Sequence, residues 1–90
     1  MKMFKEYLID KKCVAPQNVY MIQGAEIVNV QDTDKGLMLI TLINSMNSLT
    51  ELHTFKICSN NENIHTDAVK YIGSYQSLLG IQHVIEIIKE

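Results

Sequence analysis

The chain has 90 residues, 47% hydrophobic and 20% charged, with a formal net charge of −2 and no arginine. With a pI near 5.9, that balance excludes the basic face of a nucleic-acid binder, and the bidentate fork that grips phosphate is missing. No apolar run is long enough to span a bilayer as a helix, and MKMFKEYLIDKK lacks the apolar core of a signal peptide, so a cytoplasmic location is expected.

Such a length makes one domain, residues 1–90, with a core that is marginal by itself. The surplus apolar content points to a homo-oligomer, because a subunit interface gives that surface somewhere to go. In chain order, Met3 to Ile9 alternates and carries Lys2, Lys5 and Glu6 along it, which predicts an edge strand. Val14 to Asn18 is extended or turn-like around Pro16, since the residue before proline avoids helix. Val19 to Ile22 reads as a short strand. Ala25–Gln31 and Leu37–Ile43 form the central hairpin, joined by Asp32-Thr33-Asp34-Lys35-Gly36, with Gly36 expected at positive φ. The second of these strands is apolar on both faces. Leu37, Leu39 and Ile43 point one way and Met38, Ile40 and Leu42 the other, so its second face should be covered by more of the chain or by another subunit.

After a polar turn at Asn44–Ser48, Leu49 to Cys58 reads as a strand with Leu49, Phe55 and Ile57 inward beside Glu51 and His53. Ser59–Asn63 is loop, and Thr66-Asp67 caps a single helical turn running to Lys70. Val69–Gln76 and Ile81–Ile88 make a last strand pair; Ile81–Glu90 fits strand or helix. The fold class is all-β: mainly antiparallel, six to seven short strands, sandwich- or barrel-like, with at most one short helical turn.

Cys13 and Cys58 are expected as thiols. His53 and Cys58, five apart, fall on opposite faces of a strand, and no pair of ligands has zinc spacing, so neither metal nor cofactor is expected. No motif sets a nucleophile beside a base, so the chain does not read as an enzyme. One constellation suggests binding. Tyr71, Gly73 and Tyr75 share a face in a regular strand, with Lys70, Ser74 and Gln76 opposite and Gln82, His83 and Glu86 on the neighbouring strand. Tyrosines beside a lysine and amides stack on a base and bond its edge or a phosphate. Glycine inside a strand marks a bulge or a close approach. The plain alternative is that the tyrosines half-bury their rings and keep their hydroxyls wet.

The segments GAEIVNVQ (24–31), YIGSYQ (71–76) and HVIE (83–86), in that order over nearly the whole length, resemble a small phage and prophage family of unknown function. The chain departs from it at Gln23, where a proline is usual, and lacks the tryptophan often present in the apolar strand. The resemblance implies a phage-encoded, non-catalytic accessory protein. One role it implies is a sponge that sequesters a nucleotide-derived defence signal; the tyrosine constellation then supplies the expected site, Lys70, Tyr71, Gly73, Tyr75, Gln76 and His83, with the ligand held between subunits. The other is an inhibitor of a host factor, or a virion accessory, docking through an exposed strand edge.

Overall fold

A computed structural model describes residues 1–88; the last two residues of the segment that fits strand or helix, Lys89 and Glu90, lie outside the described residues. The described residues form seven antiparallel strands and no helix: β1 (Lys2–Ile9), β2 (Gln17–Ile22), β3 (Glu26–Thr33), β4 (Gly36–Asn44), β5 (Thr50–Ser59), β6 (Val69–Ser77) and β7 (Gly80–Ile87). They build one sheet in the order β1-β4-β3 and another in the order β2-β5-β7-β6. The two sheets pack as a sandwich, with β3 against β6 and β1 against β2 at its margins. A backbone tie closes the second margin: the Ile22 N–H donates to the Tyr7 hydroxyl at 3.0 Å.

The double-sided strand, β4, is the middle of the three-stranded sheet, as its composition requires. Leu37, Leu39, Thr41 and Ile43 are buried, whereas Met38, Ile40 and Leu42 on its other face are half-buried. Thr41 is tolerated inside because its hydroxyl donates to the Lys5 carbonyl at 2.8 Å, leaving no orphan polar atom. Opposite it, β5 and β7 contribute Phe55, Ile57 and Val84, and Met21 enters from β2. Leu49 precedes β5 and is exposed rather than inward.

The same turn closes both hairpins. Thr33 pairs with Gly36 and Ser77 with Gly80. In each, the hydroxyl donates to the glycine carbonyl, at 2.7 Å from Thr33 and 2.8 Å from Ser77. Each hydroxyl also accepts the amide two residues on, that of Lys35 or Leu79. Gly36 has φ +139°, and a Cβ there would sit 3.1 Å from the Ile9 carbonyl oxygen. Gly36→Val is therefore expected to destabilise by about 1 kcal/mol or more, read as a lower urea midpoint at unchanged m-value.

The helical turn expected after Thr66-Asp67 does not form. The Thr66 hydroxyl accepts the Ala68 amide at 3.2 Å, a local turn that competes with helix, and the chain enters β6 directly at Val69.

Candidate functional site

A register shift between Tyr71 and Gly73 reorganises the tyrosine constellation. Gly73 pairs with the fully buried Val84, and Tyr75 pairs with Gln82 two residues along, so both face the sandwich interior. Tyr71 is set opposite Ile85 and Ser74 opposite His83, on the outer face. The expected sharing of one face by Tyr71, Gly73 and Tyr75 is therefore corrected: one extra residue in β6 reverses the alternation. Nor does Gly73 leave a notch. A Cβ built there would lie 2.9 Å from Val30 Cγ2 and 3.4 Å from Val30 Cβ. The missing side chain lets β3 approach β6.

Outside, Tyr71 and His83 do meet. The side-chain Oδ1 of Asn60 can only accept, so His83 Nε2–H donates to it at 2.6 Å. His83 Nδ1 meets the Tyr71 hydroxyl at 2.9 Å. This chain lies on an open face. Nearby, Lys56 holds Glu62 at 2.7 Å, and Glu62 also accepts the Ser59 amide at 3.2 Å. The Lys56 ammonium and that amide bond draw the Glu62 carboxyl below its usual range. Burial pushes the Cys58 thiol up, against the pull of Lys56, so it stays protonated at neutral pH and is a poor nucleophile.

The inner face holds a second cluster, between β5 and β7. His53 Nδ1 meets Glu86 at 2.5 Å and Nε2 meets Glu51 at 3.0 Å. With both ring nitrogens on carboxylates, the imidazolium is the form that satisfies the site. Burial opposes that charge, but the hydrogen bonds to Glu86 and Glu51 outweigh it and raise the His53 pKa. A small recess of about 220 Å³ beside it is lined by Glu51, His53, Glu86 and Ile87. Sequence reasoning placed Glu51 and His53 on one face of a strand, yet Glu86 is 33 residues away and no spacing announces it.

A second, wider concavity lies elsewhere, at the end of the sandwich between the β1–β2 loop and the β6–β7 hairpin. It is a groove of about 1130 Å³. Its wall carries Ile57, Tyr75, Gln76 and Gln82, its rim Lys12, Val14, Leu78 and Leu79. Lys11 is neutralised by Asp32 at 2.7 Å; among the described residues Lys12 has no carboxylate partner. Burial raises the Tyr75 pKa, the nearby Asp32 carboxylate adds to this and Lys11 opposes it, so the phenol remains a donor. Of the residues singled out from sequence, Tyr75, Gln76 and Gln82 line the groove, and Lys70, Tyr71, Gly73 and His83 are not part of its lining. Lys11 and Lys12 were missed, because only the folded hairpins bring residues 11–14 beside 75–82. Among the described residues there is no group of three side chains suited to hold a metal ion. No protein-family model, no curated protein and no solved structure matches the chain.

Proposed function

We propose that the protein is a non-catalytic binding module whose groove takes a small, flat, nucleotide-like molecule, in keeping with a phage-encoded sponge for a nucleotide-derived defence signal. The observation that carries this reading is the convergence of polar edges on an apolar wall. Gln82, opposite Tyr75 on the inner face of β7, offers an amide donor and acceptor suited to the edge of a base, and the Tyr75 hydroxyl adds a second polar group. Leu78 and Leu79 supply apolar cover for a planar face, and Lys12 is the cation available to a phosphate. Both leucines are fully exposed at a hairpin tip, a position where polar residues are ordinary.

The test is a thermal-shift screen against nucleotides and cyclic nucleotides, since a ligand that binds only the folded state raises the melting temperature. One compound should do so in a concentration-dependent way. Gln82→Ala and Lys12→Ala should each reduce the shift while leaving the unliganded melting temperature within about 2 °C, the loss through Lys12 growing at low salt. Tyr75 belongs partly to the core, so the informative change there is Tyr75→Phe. The second reading, a protein inhibitor docking by strand addition, draws on β1 and β6, each paired on one side only. A screen without a hit, together with a partner whose binding is lost when β1 carries a proline, would favour it.

A further inference from the structure

We propose that the outer face of the β1-β4-β3 sheet is the interface of a two-fold dimer of this chain. The face is independent of the groove, so either reading can fail alone. Its centre is the half-buried row Met38, Ile40 and Leu42 on β4. Phe4 and Leu8 stand opposite Leu42 and Met38 on β1, and Val28 is added at the β3 irregularity. Phe4 is 68% exposed, Leu8 50% and Val28 46%. Around this centre the two edge strands carry Lys2, Glu6, Glu26 and Gln31. An apolar middle inside a polar border is the anatomy of a subunit interface.

Surface area indicates how much of the molecule a partner should cover. The chain exposes 6222 Å². A monomer of 10.3 kDa ordinarily exposes about 5,400 Å². The surplus, roughly 800 Å², matches the area of about 800 Å² that each partner contributes to a standard interface.

Pattern identifies the partner as a second copy. Along β1 the outward positions run Lys2, Phe4, Glu6, Leu8, followed by Asp10 just past the strand. A two-fold axis in the interface plane, crossing the strands at the level where Glu6 pairs with Ile40, sets Ile40 on Ile40 of the other copy. It brings Met38 to Leu42, Phe4 to Leu8, and the Lys2 end of β1 to the Asp10 end. Apolar groups meet apolar groups, which is the self-complementarity an isologous contact needs. The same axis sets Glu6 on Glu6 of the other copy, on the edge strand where both carboxylates reach water. The border bears both signs, so the face does not select a strongly charged foreign partner.

Sedimentation equilibrium of the full chain tests this. At about 100 μM protomer the mass should be twice that of one chain. Phe4→Glu, on an exposed edge position, should keep the wild-type circular dichroism and raise the dissociation constant at least about thirtyfold. Ile40→Lys should do so at the centre of the face. Leu78→Glu, on the groove rim, should leave the mass unchanged. A monomeric wild-type chain at that concentration would overturn the proposal. So would a Phe4→Glu chain that dimerises as tightly as wild type, or a Leu78→Glu chain that does not dimerise.

Discussion

Gly73→Ala is expected to lower the stability of the fold by about 1–3 kcal/mol, although it adds a single methyl group to a half-buried strand. In an ordinary strand the same change would be neutral or mildly stabilising, because alanine restricts the unfolded chain more than glycine does. Here the new Cβ would stand 2.9 Å from Val30 Cγ2, and Val30 packs against the core. Valine is stiff at χ1, so it cannot swing aside cheaply. The strand bearing it must retreat, and that separates β3 from β6. Val30→Ala removes the obstructing methyls. A double-mutant cycle measured by urea unfolding should therefore give a favourable coupling between Gly73→Ala and Val30→Ala of about 1 kcal/mol. Additive effects would mean that Gly73 is retained for some reason other than the approach of the two sheets.

The second large effect is expected at the carboxylate clasp. Glu86→Gln should cost about 1.5–3 kcal/mol near neutral pH, because a half-buried imidazolium loses its closer charged acceptor. The surroundings offer little replacement. Val19 stands opposite His53 on β2, the Phe55 ring lies 6.2 Å away in a stacked arrangement, and Lys70, in register with Glu86, carries the same sign as the imidazolium. The sign of the pH dependence follows from the raised pKa of His53. Its contribution is complete below the ordinary histidine value of 6.5 and is lost as pH rises through the higher folded value. Glu51 works in the other direction. The Gly24 amide and His53 draw its carboxyl down, so its contribution is present above the usual carboxylate range and is lost as pH falls. Stability should thus pass through a plateau in mild acid and decline on the alkaline side. The gap between wild type and Glu86→Gln should narrow as pH rises above 6.5 and through the raised folded value of His53. A gap that does not change with pH would show that Glu86 does not hold the proton on His53.

Much of the fold was legible from residue chemistry, and the reason is periodicity. The two-sided greasiness of Leu37–Ile43 announced a central strand, and β-branched and apolar residues at alternate positions marked the others. Positive φ at Gly36 followed from its place after Asp34-Lys35. What alternation cannot announce is its own interruption. Tyr71-Ile72-Gly73-Ser74-Tyr75 reads as an unbroken strand, so the two tyrosines fell on one face. A single bulged residue then sent Tyr71 outside and Tyr75 inside. Glycine within the strand was the one local hint of a bulge or close approach, and both occur there. Thr66-Asp67 misled for a different reason: a hydroxyl that can cap a helix can equally close a turn, and nothing downstream favoured helix over the β6 pairing. That Lys11 and Lys12 join Tyr75, Gln76 and Gln82 was illegible for a third reason. Lys12 and Gln82 are 70 positions apart in the chain, and only the juxtaposition of two hairpin ends makes them neighbours.

The groove account is tested most directly by following backbone amide resonances of the full chain while a nucleotide or cyclic nucleotide selected by thermal shift is titrated in. The account predicts saturable shifts concentrated at Lys12, Tyr75, Gln76, Leu79 and Gln82, with the amides of Tyr71 and His83, whose side chains lie on the outer face, unmoved. Saturable shifts centred on Tyr71 and His83, with the groove amides silent, would contradict it.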